Sequence, residues 1–218
     1  MWKCLLSQGK NTECLSHLSA IARINADTAN VLLSGERGAE CYLIHELVRD
    51  AGKRVDDVHK LVNEIFITSI DRDKIILLAQ KLDETAKGMR KVSDLIDVHG
   101  DRVNGIITKH EVLHKHIERL FSMVNDMSAE VYELVTLLAS KHIDVQRCER
   151  GRVILRKMEH EADEIRKKVE HILVAEERRG TLDTIGFIVV RDYVALLEKC
   201  TDHANGCGKV MLAIAQGG

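Results

Sequence analysis

The amino-acid sequence predicts an all-α protein built from two tandem antiparallel three-helix bundles, and three observations lead to this fold class. The 218 residues include no proline, so long helices can run without interruption. Apolar residues make up 45 % of the chain and recur every three or four positions, with charged residues on the opposite faces. The second half also repeats the helical pattern of the first, which indicates two related bundles.

Helical periodicity and its breaks predict six long helices. They lie near residues 11–33, 38–66, 69–98, 109–140, 145–178 and 182–214. Glycines mark boundaries at Gly35, Gly38 and Gly180, and the polar segments His99–Gly105 and Ser140–Asp144 are interpreted as further breaks.

Side chains that can cap helix N-termini support these boundaries. Thr68 or Ser69 is expected to cap the third helix, with Asp71 placed to accept hydrogen bonds from its free amides. Thr108 and Glu111 are spaced as a capping box for the fourth helix. Each cap would satisfy backbone N–H groups that have no partner inside the helix.

Two constant shifts relate the helices of the two halves. A shift of 107 residues places the second helix on the fifth, and a shift of 115 residues places the third on the sixth. The matched apolar pairs include Val55 with Ala162, Val58 with Ile165, Ile75 with Val190, Leu82 with Leu197, and Met89 with Ala204. The repeat predicts a first unit of residues 1–105 and a second of residues 106–218, either as two domains or as one continuous domain.

The net charge, the hydropathy and the spacing of the cysteines argue against a nucleic-acid-binding protein, a membrane-spanning protein and a disulfide-rich protein. The formal net charge of −2 provides no basic field for nucleic acid. No segment approaches the roughly 18 consecutive apolar residues of a membrane span, so we expect a cytoplasmic protein. The six cysteines include no Cys-x-x-Cys pair and are interpreted as reduced, mostly buried thiols.

Two Glu-x-x-x-Asp motifs in the second half are candidate metal ligands. Glu159 with Asp163 and Glu198 with Asp202 each place two carboxylates one turn apart on one helix face. If the two helices are antiparallel neighbours, the four carboxylates come together beside a groove of the bundle. Such an oxygen-rich cluster suits hard cations or iron, whereas the simpler interpretation is a solvated acidic face.

The acidic motifs also carry a resemblance to a known family. The segment Phe66–Ile75 reads Phe-Ile-Thr-Ser-Ile-Asp-Arg-Asp-Lys-Ile, and with Leu82-Asp83 it resembles the turn and acidic helix of PhoU-like phosphate transport regulators. Arg156–Asp163 resembles the first acidic motif of that family's second repeat, and Leu197–Asp202 resembles the last. The resemblance extends over roughly residues 15–214.

This resemblance implies a fold, a function and partners. Members of the family fold as two three-helix bundles, and the acidic motifs of some members bind metal clusters. By resemblance, the chain would be a non-enzymatic accessory or regulatory protein of inorganic phosphate transport, in the shorter branch associated with Pit-type phosphate permeases. Its partner would be a phosphate permease or another transport component at the cytoplasmic face of the inner membrane, and it could form homo-oligomers.

The first repeat departs from the acidic pattern. Gly52 stands at the position that matches Glu159, and Lys87 at the position that matches Asp202, so that only Asp56 and Asp83 remain. Lys87 would itself neutralise one carboxylate. We therefore expect a divalent or trivalent metal such as iron, zinc or manganese at Glu159, Asp163, Glu198 and Asp202, and little or none at Asp56 and Asp83.

Two other functions compete with this one. The string His110-Glu111-Val112-Leu113-His114 has the spacing of a zinc-peptidase helix, although Lys115 and His116 follow where such helices are apolar. A metal-dependent enzyme could use this segment or the carboxylates. The other alternative is a helical adaptor with a partner unrelated to phosphate. No residue is assigned a catalytic role.

Overall fold

The computed structural model consists of six long α-helices. It describes residues 2–34, 39–64, 71–138 and 143–217, without the side chains of residues 2–10, 34 and 39. The helices are α1 (Trp2–Ser34), α2 (Ala39–Glu64), α3 (Arg72–Ile107), α4 (Glu111–Leu138), α5 (Val145–Arg178) and α6 (Thr184–Gln216). These ranges contain no β-strand, and the predicted all-α fold is confirmed.

The helices pack in two groups of three. Helices α1, α2 and α3 contact one another, as do α4, α5 and α6. The groups meet mainly where α1 packs on α4 and α3 packs on α6, whereas the described parts of α2 and α5 contact only helices of their own group. One hydrophobic core of buried side chains extends through all six helices.

Helices α3 and α6 run antiparallel along most of their length. Near one end the Lys74 ammonium donates a hydrogen bond to the carbonyl oxygen of Ala213 at 2.9 Å. Near the other end Arg102 pairs with Asp183 at 2.9 Å. Between these ends the helices approach closely, because a Cβ atom added at Gly88 would lie 3.0 Å from the Cys200 sulfur.

Residues matched by the two repeat shifts are buried in both halves. Val58 and Ile165 are matched core residues of α2 and α5, and Leu82 and Leu197 are fully buried in α3 and α6. The other three apolar pairs named above are buried as well: Val55 with Ala162, Ile75 with Val190, and Met89 with Ala204. Each shift therefore relates helices that direct the same faces into the core.

The helix ends follow the capping chemistry at several of the predicted boundaries. Asp71 is itself the N-cap of α3, and its carboxylate accepts a hydrogen bond from the Asp73 amide. Thr68 and Ser69 lie outside the described residues. Asp144 caps α5 and Asp183 caps α6 in the same way. Gly180 ends α5 with a φ of 72°, a left-handed conformation that favours glycine.

The predicted break at His99–Gly105 is wrong. Helix α3 continues to Ile107, and Gly100, Val103 and Ile107 extend its buried face by two further turns. The glycines and polar residues of this segment are therefore tolerated inside a helix whose packed face stays intact. Glycine lowers helix stability by only about 1 kcal/mol relative to alanine, which the packing of a long helix can offset.

The predicted capping box at Thr108 and Glu111 is also wrong. The Thr108 hydroxyl donates a hydrogen bond to the carbonyl oxygen of Asn104 at 2.7 Å, so Thr108 terminates α3 instead of starting α4. Glu111 begins α4 and pairs with Lys115 at 2.6 Å. Since α3 extends further than predicted, the threonine is already occupied by the preceding helix.

Candidate functional site

The groove between α5 and α6 brings the two acidic motifs of the second repeat to one level. The helices are antiparallel, since Arg152 of α5 donates to the side chain of Asn205 in α6 at 2.7 Å, and Gln216 at the end of α6 reaches Glu149 near the start of α5. With a rise of about 1.5 Å per residue, this arrangement places the two pairs side by side. The pairs are Glu159 with Asp163 on α5 and Glu198 with Asp202 on α6.

Cationic side chains of α5 already contact this acidic groove. Asp163 pairs with Arg166 at 3.2 Å and with Lys167 at 2.7 Å. The Arg166 guanidinium also pairs with Glu170 at 2.8 Å and lies 3.9 Å from Glu198 across the groove. Arg166 was not predicted as part of the site, yet its guanidinium supplies a counter-charge to carboxylates of both helices.

Glu198 of α6 and Asp163 of α5 experience opposite electrostatic environments. Burial raises the pKa of Glu198, and the nearby charges of Asp202, Asp163 and Glu159 raise it further, whereas Arg166 lowers it. A hydrogen bond from Lys167 lowers the pKa of Asp163, and Arg166 adds to that effect. An additional cation near Glu198 would therefore favour the charged form of this carboxylate.

The four carboxylates lie in one groove, but their oxygens are too far apart to coordinate a single metal ion as they stand. No three of Glu159, Asp163, Glu198 and Asp202 place ligand oxygens within 4.8 Å of one another. Metal binding at these residues therefore requires rotation of side chains, and Arg166 would have to move away from Asp163. The metal site of the second repeat stays a prediction.

At the matching positions of the first repeat, the expected contact between Lys87 and a carboxylate is present. Lys87 pairs with Asp83 at 2.6 Å, so this carboxylate is neutralised within its own helix. Asp56 is exposed on α2. A Cβ atom added at Gly52 would have no neighbour within 4 Å, so the place of the missing acidic side chain is open.

The His-Glu-x-x-His segment forms other contacts than those of a zinc peptidase. His114 pairs with Glu118 at 3.1 Å, and Glu111 pairs with Lys115. His110 immediately precedes α4, and its carbonyl oxygen accepts a hydrogen bond from the His114 amide. Within the described residues, the two histidines belong to no group of three or more metal-ligating side chains.

A different cluster was missed in the sequence. Cys41 and His45 of α2 and Asp94 of α3 place their ligand atoms within 4.8 Å of one another, and no other such group occurs in the described part of the chain. The His45 ring nitrogen Nε2 lies 2.6 Å from an Asp94 oxygen. The sequence carried one signal for it, the Cys-x-x-x-His spacing on one helix face, but the cysteines were interpreted together as core thiols.

Comparison with known proteins identifies the fold. No protein-family model matches the chain. A PhoU-like protein from Shewanella oneidensis MR-1 superimposes with a TM-score of 0.63, covering 93 % of this chain and 99 % of that one at 12 % identity. The fold is PhoU-like. A second protein of that organism, described as a PhoU-like phosphate regulatory protein, superimposes with a TM-score of 0.58 over 95 % of this chain and 97 % of its own, also at 12 % identity.

One relative is also similar in sequence. UPF0111 protein YkaA from Bacillus subtilis (strain 168) is 25 % identical over 147 residues, which cover 67 % of this chain. The match spans 64 % of the Bacillus protein, less than two thirds of its length. In the described residues, no helix is both long enough and apolar enough to cross a membrane.

The opposite environments of Glu198 and Asp163 predict opposite effects on stability in metal-free protein. Glu198→Gln should raise the melting temperature at pH 7. The folded-state pKa of Glu198 is raised, so folding loses stability as pH rises from the ordinary glutamate pKa of about 4.3 to the folded value. Glutamine carries no charge and avoids that loss, so the gain should shrink as pH falls towards about 4.

Asp163→Asn is the matched comparison and should lower the melting temperature at pH 7. The folded-state pKa of Asp163 is depressed, so its contribution to stability is present above the ordinary aspartate pKa and is lost as pH falls through the folded value. Thermal unfolding of both chelator-treated variants at several pH values measures this. A destabilised Glu198→Gln variant at pH 7 would show that Arg166 outweighs burial at this carboxylate.

Proposed function

We propose that the chain is a non-enzymatic regulatory protein of inorganic phosphate transport. The observation that carries this proposal is the PhoU-like fold, which extends over nearly the whole chain and over nearly the whole of the two Shewanella proteins. The PhoU-like turn and acidic motifs of the sequence support the same function. The role would be performed in the cytoplasm, at the inner face of the membrane, next to a permease of the Pit type.

The shape of the molecule suits binding to a protein partner. Helices α2 and α5 lie on the outside of their groups, and α1, α3, α4 and α6 join the two halves. The outer faces of these two helices carry charged residues together with exposed apolar side chains, such as Tyr42 on α2 and Val153 on α5. A phosphate permease or an associated membrane component is the partner that we propose.

We propose further that the α5–α6 groove binds a divalent or trivalent cation. Glu159, Asp163, Glu198 and Asp202 would hold it, and oxygen ligands of this kind suit iron or manganese. A cation would relieve the unfavourable burial of the Glu198 charge, whose pKa is raised by its surroundings. Arg166 would then keep Glu170, its closest partner, and release Asp163.

Phosphate uptake in cells tests the proposed function. Deletion of the gene should change the rate of radiolabelled phosphate uptake, and the wild-type chain expressed in trans should restore it.

Binding to the permease has a separate test. The phosphate permease should co-purify with the affinity-tagged chain from a detergent extract of cells, and it should not co-purify with a matched tagged helical protein. Unchanged uptake together with the absence of any phosphate transport component would favour an adaptor with an unrelated partner.

The metal site has a separate test in the asymmetry between the repeats. Asp163→Asn should abolish or strongly reduce the manganese or iron bound by purified protein, because it removes a central ligand of the groove. Asp56→Asn removes the matching carboxylate of the first repeat and should leave metal content unchanged. Elemental analysis and the metal-dependent rise in melting temperature measure both variants. Equal losses in the two variants would contradict the asymmetry, and a metal-free wild type would leave a solvated acidic groove.

A further inference from the structure

Cys41, His45 and Asp94 form a compact group of three different metal-ligating side chains. Cys41 and His45 are one turn apart on α2, and Asp94 reaches them from α3. The His45 and Asp94 side chains are 45 % and 44 % exposed, and Cys41 is partly exposed, whereas the other cysteines with described side chains are buried. The three ligand atoms are therefore close together and open to an ion from solvent.

We propose that Cys41, His45 and Asp94 bind a zinc ion, with water in the fourth position. Sulfur, imidazole nitrogen and carboxylate oxygen are the three donors that zinc takes in proteins, at about 2.0–2.3 Å each. Ligand atoms within 4.8 Å of one another can reach such distances by small rotations of their side chains. A thiolate and a carboxylate also balance the charge of the ion, so that the site as a whole is neutral.

The two arginines near the proposed zinc site, Arg90 and Arg49, do not prevent a metal ion from binding there. Arg90 lies 3.8 Å from the second oxygen of Asp94, at the far limit of an ion pair and on its own helix. Since Arg90 is a half-exposed side chain, it can move into solvent when a metal takes the carboxylate. Arg49, further along α2, is engaged with Glu46. On binding of the ion, the hydrogen bond between His45 and Asp94 breaks, and both side chains then coordinate the zinc.

The second repeat has no equivalent site, because cations replace two of the three ligands. The shifts of 107 and 115 residues place Cys41 on Cys148, His45 on Arg152 and Asp94 on Lys209. Cys148 is buried, and Arg152 donates instead to Asn205. The zinc site is thus specific to the α2–α3 groove.

The proposed zinc site is separate from the acidic positions of either repeat. In the same α2–α3 groove, Asp56 follows His45 by eleven residues, about 16 Å along the helix. Although α3 packs against α6, none of the four carboxylates of the α5–α6 groove belongs to the group of ligand atoms formed by Cys41, His45 and Asp94. The zinc site contains a thiolate, whereas the acidic groove has only oxygen ligands, and this difference allows the two to be measured independently.

Cobalt(II) added to the purified, reduced, metal-free full-length chain tests the proposal. Cobalt takes the place of zinc in such sites and gives a near-ultraviolet charge-transfer band only when a thiolate is a ligand. We expect this band to saturate at one cobalt per chain and to disappear when zinc is added. Cys41→Ser should abolish the band, and His45→Gln or Asp94→Asn should weaken cobalt binding roughly tenfold or more.

Two variants with matched chemistry serve as controls. Asp97→Asn removes an exposed carboxylate from α3 one turn beyond the site, and His59→Gln removes an imidazole from α2. Both should leave the band and the affinity unchanged, as should Asp163→Asn in the acidic groove, and circular dichroism should show the same helix content in every variant. Absence of the thiolate band in the wild type, its persistence in Cys41→Ser, or equal weakening by Asp97→Asn would each overturn the zinc site.

Discussion

Leu82→Ala and Leu197→Ala should each lower the free energy of unfolding by about 2–5 kcal/mol. Both side chains are fully buried, and they occupy matching positions in α3 and α6, the helices that join the two halves. Truncation removes buried apolar surface and leaves a cavity that packed helices cannot fill. The repeat predicts that the two losses are similar in size.

Chemical denaturation followed by circular dichroism measures this prediction. We expect one cooperative transition that shifts as a whole in both variants, because the buried core is continuous through all six helices. Leu77→Ala is the control, since Leu77 lies on α3 but is 42 % exposed, and it should change stability by less than about 0.5 kcal/mol. Two separate transitions, of which Leu82→Ala shifts only one, would show instead that the two three-helix groups are independent domains.

The sequence predicted the order and approximate positions of the six described helices because apolar residues recur every three or four positions along them. The end of α5 at Gly180 could be predicted because a glycine there takes the left-handed conformation that ends a helix. The break at His99–Gly105 was predicted from composition alone and failed, since Val103 and Ile107 continue the buried face. Packing against other helices therefore decides whether a glycine-containing polar segment ends a helix.

The candidate site was only partly predictable, because its side-chain contacts also depend on how the helices pack against one another. The two acidic motifs could be placed at one level because each lies near the middle of its helix, and the middles of two antiparallel helices of similar length lie side by side. The position of Arg166 beside Asp163 and Glu198 depends on side-chain rotation across the groove, which no spacing encodes. The contact of Asp94 with His45 joins residues 49 positions apart and depends likewise on how α3 sits against α2.

Restoring the acidic pattern of the first repeat should create a second metal site. This prediction depends on the proposed metal site of the α5–α6 groove. The double substitution Gly52→Glu with Lys87→Asp completes, with Asp56 and Asp83, two acidic pairs at the positions that match those of α5 and α6, although Asp83 stands in place of a glutamate. A side chain at Gly52 meets no atom within 4 Å of its Cβ, so a glutamate fits there without a clash. Manganese content per chain should double.

Stability provides an independent measure of the same variant. Without metal it should melt below the wild type, because the ion pair of Lys87 with Asp83 is lost and carboxylates one turn apart repel each other. With saturating manganese its melting temperature should rise by more than that of the wild type, since a cation then removes the repulsion in both grooves. Gly52→Gln with Lys87→Asn has similar side-chain shapes without the charges, and it should gain neither metal nor metal-dependent stability. An unchanged manganese content in the acidic variant, with the helix content preserved, would show that the four positions do not by themselves define a metal site in this fold.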